Sequence, residues 1–437
     1  MTEWKVVKLG DVADIIGGGT PDTKNDSYWG GDVPWLTPKD LSGYGSRYIS
    51  KGERNISYQG LENSSAKMLP AGSVLLTSRA PIGYVAIAKT PLCTNQGFKS
   101  LILKEDANSE FFYYLLKNNV DYIQGMSSGS TFAEISGSQV KALEFKIPPL
   151  DVQKRIAGIL GALDDKIEVL RAQNKTLEQM AQAVFQSWFV DCDIVRAKAA
   201  GLPAADICKK YHITPDIYDL FPSAFSADNL PQGWTIGKIE EIAEQIICGK
   251  TPPTANKEYY GKDIPFITIP DMHNNVYIIK TERCLSKKGA DSQSNKTLPF
   301  NSICVSCIGT AGLVSLVAVE SQTNQQINSI IPLKNICPYY VFLSMQNLSE
   351  IIQSLGRGGS TISNLNKAVF SNINILIPSQ KCLDKFHMLI GNFFEKIIEN
   401  SKQIHTLEQT RDTLLPQLIS GKLDVENMTV PSVIDEV

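Results

Sequence analysis

The sequence predicts an α+β fold made of two tandem α/β domains, each followed by a long helix. The two helices are expected to form an antiparallel coiled coil with pseudo-two-fold symmetry. Three observations support this prediction: an internal duplication, the same strand-and-turn texture in both copies, and an apolar heptad pattern after each copy. The predicted boundaries are 1–149 and 230–380 for the domains, 150–190 and 381–422 for the helices, 191–229 for a linker and 423–437 for a tail.

The duplication consists of short motifs that return 229 to 231 residues later, in the same order. The matched motifs are Thr20-Pro21 with Thr251-Pro252, Val33-Pro34-Trp35 with Ile264-Pro265-Phe266, Thr94-Asn95-Gln96 with Thr323-Asn324-Gln325, Gly129-Ser130-Thr131 with Gly359-Ser360-Thr361, and Ile147-Pro148 with Ile377-Pro378. Because the spacing hardly changes, a chance match is excluded. Two copies of one module on one chain suggest a ligand with two similar halves.

Both copies combine short apolar runs with Gly, Pro, Ser and Asn, which is typical of strands joined by turns. In the first copy, residues 73–77 and 84–88 are predicted to be strands and residues 111–118 a short helix. The matching strands of the second copy are predicted at 302–306 and 313–319. Each copy is therefore an α+β module of about 150 residues, a normal domain size.

Each module is followed by apolar residues at alternating steps of four and three, which is the heptad pattern of a coiled coil. The central seam positions are Leu163, Ile167, Leu170, Asn174 and Leu177 in the first helix, and Phe393, Ile397, Asn400, Ile404 and Leu407 in the second. One antiparallel register sets Asn174 opposite Asn400 and small Ala181 opposite large Phe393. A polar pair in the seam costs stability but specifies the register. The alternative is that both asparagines face water near a helix edge.

The composition is that of an ordinary soluble protein with a net charge of −3. There is no apolar run long enough to span a bilayer and no signal-peptide pattern at Met1, so a cytoplasmic location is expected. The nine cysteines are expected to be free thiols. Cys304 and Cys307 form a CxxC motif, but a structural zinc site needs four ligands, so buried strand cysteines are the preferred interpretation and no metal is predicted.

No catalytic motif is recognisable in the sequence. The Gly249-Lys250-Thr251 segment has Glu244 where a nucleotide-binding loop needs glycine. An Asn/Asp-Pro-Pro-aromatic tetrapeptide, common in adenine methyltransferases, does not occur, and the four histidines show no metal-binding spacing. The chain is therefore interpreted as a binding protein with no catalytic residues and no cofactor of its own.

Several motifs occur in a fixed order along the whole chain: Leu9-Gly10-Asp11, Gly19-Thr20-Pro21, Val33-Pro34-Trp35, Asn95-Gln96, Ile147-Pro148-Pro149-Leu150 and Leu418-Ile419-Ser420-Gly421-Lys422-Leu423. With the order module, helix, module, helix, they resemble the specificity subunit of type I restriction-modification enzymes. The resemblance implies that each module is a target-recognition domain that reads one half of a bipartite DNA sequence. It also implies that the helices set the spacer between the halves and dock two methylation subunits.

The resemblance further implies the partners of the chain. The methylation subunits would use S-adenosylmethionine to methylate adenine, and restriction and translocation subunits would use ATP and magnesium. Double-stranded DNA would be the ligand of this chain, and no membrane is involved. One target base would be flipped out of the duplex into the pocket of a methylation subunit.

Candidate DNA contacts are polar or basic residues near the duplicated motifs and in one basic stretch. They are Lys24, Lys39, Arg79, Gln96, Ser130, Thr131, Lys250, Lys287, Lys288, Gln325, Arg357, Ser360 and Thr361. Arg79 has Ile308 as its counterpart, which favours contact with guanine in one half-site, although a surface salt bridge is an equal alternative. The Gly-Ser-Thr loops suit either phosphate contacts or a turn that caps the next helix.

Two further hypotheses stay open at this stage. One is a fused restriction and methylation enzyme, which the missing catalytic motifs disfavour. The other is a duplicated scaffold or carbohydrate-binding module with a coiled-coil spacer. Salt-dependent DNA affinity would separate the last hypothesis from the specificity subunit, because a scaffold would lack it.

Overall fold

The computed structural model describes residues 4–127, 133–356, 365–425 and 428. These residues form two compact units, Met1–Val169 with Thr406–Val437, and Leu170–His405. We call them unit 1 and unit 2. Each contains sheets, and each contains part of both long helices, so the protein is a mixed α+β fold with two sheet-rich domains and long helices.

Unit 1 contains ten strands and five short α-helices among the described residues. The strands are β1 (Lys5–Lys8), β2 (Ala13–Gly17), β3 (Trp29–Leu36), β4 (Tyr48–Ile49), β5 (Arg54–Ile56), β6 (Val74–Ser78), β7 (Ile82–Ala88), β8 (Cys93–Thr94), β9 (Lys99–Leu103) and β10 (Glu144–Ile147). The helices are α1 (Leu9–Val12), α2 (Tyr58–Glu62), α3 (Ser109–Asn118), α4 (Val120–Gly125) and α5 (Gly137–Ala142). Strands β6 and β7 and helix α3 lie where the sequence predicts strands and a helix.

The strands of unit 1 form a five-stranded sheet in the order β2-β9-β6-β7-β4, a three-stranded sheet in the order β5-β3-β8, and the pair β1-β10. Strand β6 lies inside the large sheet, which explains why all five of its residues are buried and why its sequence is continuously apolar before Thr77. Helix α3 covers this sheet with six consecutive buried residues, and Asn108 caps its first turn by accepting a hydrogen bond from the Phe111 N–H group.

The first long helix, α6, runs over Leu150–Phe185 and continues as a π-helical turn over Gln186–Val190. Pro148 and Pro149 precede it, as expected at a helix start. The linker then forms α7 (Asp193–Ala199), α8 (Ala204–Tyr211) and α9 (Pro215–Leu220).

Unit 2 repeats the architecture of unit 1. Its strands are β11 (Thr235–Lys238), β12 (Ala243–Cys248), β13 (Tyr260–Gly261), β14 (Ile264–Ile267), β15 (Tyr277–Ile278), β16 (Arg283–Leu285), β17 (Ile303–Ser306), β18 (Val314–Val317), β19 (Gln322–Thr323), β20 (Ile327–Pro332) and β21 (Asn374–Ile377). Its helices are α10 (Ile269–Met272), α11 (Lys287–Asp291), α12 (Pro338–Asn347), α13 (Ser349–Gly356), α14 (Lys367–Ser371) and the long α15 (Gln380–Ile419).

The sheet orders of unit 2 are β12-β20-β17-β18-β15, β13-β16-β14-β19 and β11-β21. Each strand of the large sheet has its counterpart at the same place in unit 1. In the small sheet, the long strand β3 of unit 1 corresponds to the two strands β13 and β14. The duplication seen in the sequence is therefore a duplication of topology.

The linker packs on the second long helix within unit 2. Lys385 of α15 forms an ion pair with Asp216 of α9 at 2.7 Å, and the Cys382 thiol donates to the Leu220 carbonyl at 3.3 Å. The aromatic side chains of the linker region and of α15 share one core, in which Trp188 lies 5.8 Å from Phe386 between ring centroids. Burial of these aromatic rings fixes the linker to the helix.

The cysteines are free thiols, and Cys304 and Cys307 are buried at 0% and 1% exposure. Burial raises the pKa of the Cys304 thiol to about 12 and that of Cys307 to about 11. Among the described residues, no group of three or more potential metal ligands comes together, and no helix is long and apolar enough to cross a membrane.

Candidate functional site

A surface loop pair in unit 1 presents the side chain of Gln96. The Thr20 hydroxyl donates a hydrogen bond to Oε1 of Gln96, and the Gly19 N–H donates to the Thr94 carbonyl at 2.9 Å. The indole N–H of buried Trp35 donates to the Gly19 carbonyl at 2.9 Å, so the loop is anchored to the small sheet. A Cβ at Gly18 would lie 2.1 Å from the Asn95 carbonyl oxygen, and only glycine fits there.

Unit 2 contains the same arrangement. The Thr251 hydroxyl donates to Oε1 of Gln325 at 2.7 Å, and the Lys250 N–H donates to the Thr323 carbonyl at 2.9 Å. A Cβ at Gly249 would lie 2.1 Å from the Asn324 carbonyl oxygen. This repeated geometry requires glycine at the same place in both halves.

The loop geometry determines what each glutamine can bind. Gln96 and Gln325 are both exposed, and the threonine hydroxyl occupies Oε1 in each case. Their amide NH₂ groups have no hydrogen-bond acceptor within the described part of the chain. A glutamine held in this way offers two donors to an acceptor such as a phosphate or a base-edge oxygen or nitrogen.

Three of the predicted DNA contacts are neutralised by ion pairs. Lys39 lies 2.9 Å from Glu53, Lys288 lies 2.8 Å from Glu258, and Arg79 lies 3.7 Å from Glu134. Lys99 also approaches Glu134, at 3.6 Å. The structure thus gives Arg79 the surface salt bridge that the sequence left open as an alternative.

The remaining predicted contacts fall into two groups. Lys24, Lys250 and Lys287 are exposed and have no carboxylate within ion-pair distance among the residues that the structure describes. The residues predicted in the Gly-rich loops lie outside the described residues: Ser130, Thr131, Arg357, Ser360 and Thr361.

The two long helices contact each other through their seam asparagines within unit 2. Nδ2 of Asn400 donates to Oδ1 of Asn174 at 2.9 Å, and Nδ2 of Asn174 donates to the Ser401 hydroxyl at 3.2 Å. Asn400 is fully buried, and its own Oδ1 accepts no hydrogen bond from the residues that the structure describes. Phe185 and Phe386 contact each other farther along the same two helices, with ring centroids 6.4 Å apart.

The other predicted seam residues differ in burial. Ile167, Leu170 and Ile397 are buried, at 1%, 3% and 0% exposure. The half-buried residues are Leu163, Leu177, Phe393, Ile404 and Leu407. The fully buried phenylalanine of the second helix is Phe394, which stacks on Tyr339 with centroids 4.2 Å apart.

A buried ionic cluster in unit 1 was not predicted. The Arg47 side chain is 4% exposed and donates to Asp165 of α6 at 2.6 Å and to the Tyr114 hydroxyl at 3.1 Å. The Tyr114 hydroxyl donates to Asp164 at 2.6 Å, and Asp164 pairs with Arg411 of the second long helix at 2.7 Å. The cluster therefore joins the recognition module to both long helices.

Neighbouring charges set the ionisation of this cluster. Burial alone would lower the pKa of the Arg47 guanidinium, but Tyr114, Glu110 and Asp165 raise it above its ordinary value. Burial and the Asp164 carboxylate raise the pKa of Tyr114, which keeps its hydroxyl protonated as a donor. The groups are thus a fixed cation and a fixed donor held between carboxylates, and their contacts position the module.

The corresponding place in unit 2 lacks the cation and one of the two aspartates. Val276 takes the place of Arg47 and Phe394 that of Asp164, while exposed Glu395 takes the place of Asp165. A sequence comparison of the two copies at their constant offset could have found this difference, because it pairs Arg47 and Asp164 with apolar residues.

One thiol and imidazole pair lies outside these features. The Cys337 sulfur lies 3.1 Å from Nδ1 of His387, and the imidazole stacks on Tyr339. Burial raises the pKa of Cys337 to about 12, so the thiol stays protonated and is a poor nucleophile.

Comparisons with known proteins identify what the chain is similar to. The family model described as "Type I restriction modification DNA specificity domain" matches residues 1–179 and 231–409. The MjaIX specificity subunit of Methanocaldococcus jannaschii, a type I restriction enzyme subunit, is 35% identical over 98% of this chain and 95% of its own length. The HindI specificity subunit of Haemophilus influenzae is 34% identical over 97% of this chain and 100% of its own length.

A solved structure shows the same fold. The S subunit of a type I restriction-modification system from M. genitalium matches 95% of this chain and 96% of its own chain, with a TM-score of 0.56 at 15% identity.

Proposed function

The chain belongs to the type I restriction-modification DNA specificity family, and we propose that it is the sequence-specificity subunit of such a system. Each recognition domain reads one half of a bipartite DNA target in this proposal. The domains are 1–149 and 230–380, and the chain itself carries no catalytic residue. The alternative of a scaffold or carbohydrate-binding module has no support in the comparisons.

One observation carries the proposal: the large sheet has the same strand order in both units, and in both a threonine hydroxyl holds an exposed glutamine beside a required glycine. The backbone of duplex DNA has local two-fold symmetry, so two similar modules can address two half-sites in equivalent ways. The loops then offer equivalent donors to the DNA, through Gln96 in one half and Gln325 in the other.

The long helices are proposed to act as the spacer between the half-sites. Their 36 and 40 residues correspond to about 54 and 60 Å at about 1.5 Å per residue, which exceeds one turn of DNA at about 34–36 Å. An antiparallel coiled coil with pseudo-two-fold symmetry is part of the proposal. The contacts of Asn174 with Asn400 and of Phe185 with Phe386 support antiparallel pairing, because residue numbers rise on one helix as they fall on the other.

The proposal extends to partners and location. Two methylation subunits would dock on the helices and use S-adenosylmethionine, while restriction and translocation subunits would use ATP and magnesium. The nine free thiols fit a reducing cytoplasm. Lys24, Lys250 and Lys287 are retained as proposed DNA contacts because they are exposed and have no carboxylate partner among the described residues.

The test is co-expression of the chain with the methyltransferase gene that neighbours its own, followed by single-molecule sequencing of host DNA for N6-methyladenine. The expected result is a new motif of two short blocks separated by a fixed gap. Exchange of residues 1–149 for those of a relative should change one block and leave the other and the gap unchanged. If both proteins are soluble and associated but no bipartite motif is methylated, the proposal is wrong.

A further inference from the structure

The two modules share three cationic positions at one constant offset. Lys51, Arg54 and Lys67 recur as Lys280, Arg283 and Lys296, in each case 229 residues later. Five of these side chains are exposed and Lys296 is half-exposed. We call the two sets the recurring cations.

The structure shows that the matched positions are equivalent in the fold. Arg54 pairs with Trp35 in the small sheet of unit 1, and Arg283 pairs with Phe266 in that of unit 2. The first lysine of each set follows a two-residue Tyr-Ile strand by two residues, β4 or β15.

The third lysine of each set precedes an isolated bridge by two residues. Lys67 precedes the bridge of Leu69 to Leu92, and Lys296 precedes the corresponding bridge of Leu298 to Ser321. Each set therefore occupies the same three positions around its small sheet.

The arginines are braced by aromatic rings in both units. The Arg54 guanidinium lies 3.7 Å from the ring centroid of Trp29, and the Arg283 guanidinium lies 5.8 Å from that of Phe266. A ring under a guanidinium restricts its motion and leaves its N–H groups free to donate. This arrangement prepares the arginine for an anionic ligand.

The recurring cations have no carboxylate within 4 Å in the described parts of the chain. Other basic residues differ: Lys39, Lys288 and Arg79 are paired with glutamates. Two further pairs recur at an offset of 230, Lys8 with Lys238 and Lys104 with Lys334. Lys238 donates to an asparagine side chain at 2.6 Å and Lys104 donates to the Asp11 carbonyl at 2.7 Å, which assigns both pairs to the scaffold. Exposed cations left unpaired at equal places in two modules indicate a common anionic ligand.

We propose that the recurring cations are the sequence-independent phosphate contacts of the two modules on duplex DNA. The inference rests on the proposed function and assigns DNA positioning and sequence recognition to different residues. Two modules that read different half-sites need different base contacts, but they meet the same phosphate backbone. Residues common to both modules then position the DNA, while residues that differ between the modules are available for specificity.

The experiment measures duplex binding by the full-length chain as a function of salt. One variant carries K51Q, R54Q and K67Q, and a second carries the three corresponding changes in the other module. The control variant carries K89Q, K141Q and K146Q, which removes three exposed cations that have no basic counterpart and no carboxylate partner among the described residues. Fluorescence anisotropy is recorded with two unrelated duplexes of about 30 base pairs between about 50 and 200 mM salt.

The expected result follows from counterion release. Each lost phosphate contact makes the negative slope of log K against log salt shallower by about 0.9. The slope of each triple variant should therefore be shallower than that of the wild type by about 2.7. Affinity should fall by about 100-fold or more near 100 mM salt, equally for both duplexes, while the control stays within about threefold of wild type. An R54K variant should keep the wild-type slope, because the charge remains.

Three outcomes would overturn the inference: an unchanged slope in the triple variants, a loss of affinity for one duplex sequence only, or an equal loss of affinity in the control variant. Circular dichroism of each variant establishes that it is folded. Failure of the proposed function would give a different result, because the wild-type chain would then show no salt-dependent duplex binding. That result would refute both the proposed function and the inference.

Discussion

Two corresponding glycines in the long helices should respond in opposite ways to the same substitution. Gly161 and Gly391 lie 230 residues apart, at equivalent places in α6 and α15. An added Cβ at Gly391 would meet no atom within 4 Å, whereas one at Gly161 would lie 2.5 Å from Nη1 of Arg47. We therefore expect Gly391→Ala to stabilise unit 2 and Gly161→Ala to destabilise unit 1.

The magnitudes follow from helix propensity and hydrogen bonding. Alanine stabilises a helix interior by about 1 kcal/mol relative to glycine, and both variants gain this. At Gly161 the Arg47 guanidinium must move away from Asp165 and Tyr114, which loses a charge-assisted hydrogen bond of about 1.5–3 kcal/mol and a second bond of about 1 kcal/mol. The net loss for Gly161→Ala is about 2 kcal/mol.

Calorimetry of the full-length chain measures the outcome, and hydrogen-exchange mass spectrometry assigns it to a unit. At about 2–4 °C per kcal/mol for domains of this size, Gly391→Ala should raise its transition by about 2–4 °C and Gly161→Ala should lower its own by about 4–8 °C. In an Arg47→Met background, Gly161→Ala should no longer reduce the stability of unit 1, since the guanidinium that obstructs the added Cβ is gone. Equal stabilisation by both substitutions would refute the placement of Arg47.

Three further predictions concern the seam asparagines, the loop at Gly18 and the buried thiol of Cys304. Asn174→Ala should destabilise unit 2 by about 1–3 kcal/mol in urea unfolding, because it removes the acceptor of buried Asn400. Replacement of both asparagines by leucine should recover that stability. A double variant that remains destabilised would contradict the pairing of the two asparagines. Gly18→Ala should destabilise unit 1 by about 1–3 kcal/mol or more by the same measurement, while the neighbouring Gly17→Ala, whose Cβ meets nothing within 4 Å, should be tolerated. Burial raises the pKa of Cys304 from its ordinary value of 9.0 to about 12, so the folded state holds the proton more tightly and this contribution to stability is present below pH 9 and lost as pH rises toward 12. Alkylation followed by mass spectrometry at pH 8 should therefore leave this thiol unmodified in the native protein, and rapid labelling would count against its burial.

Much of the fold can be predicted from the sequence because the sequence contains two copies of one module. The constant offset predicts two modules of one topology, and the large sheets of the two units agree strand by strand, while β3 of unit 1 corresponds to β13 and β14 of unit 2. The heptad pattern predicts two long helices, and the structure contains α6 and α15. These features depend on local periodicity and on the comparison of two copies, which a single sequence supplies.

Long-range pairing of charges is the part that the sequence could not supply. Glu53 lies 14 residues from Lys39, and Glu258 lies 30 residues from Lys288, so only the fold brings each pair together. Arg47 looks like an ordinary surface arginine in the sequence, yet it is buried by groups from distant elements. Spacing along the chain carries no information on which exposed cations remain available for an anionic ligand.

The chemical difference between the two module-to-helix contacts restricts how new specificities can arise by gene recombination. A crossover that delivers a first-position module to another first position keeps Arg47 opposite its aspartates. Transfer of that module to the second position would keep a carboxylate opposite the guanidinium, because Glu395 takes the place of Asp165. It would leave the Tyr114 hydroxyl against Phe394 without its acceptor, and an unsatisfied buried donor costs about 1–3 kcal/mol. We therefore expect exchange between equivalent positions to preserve stability better than exchange between the two positions.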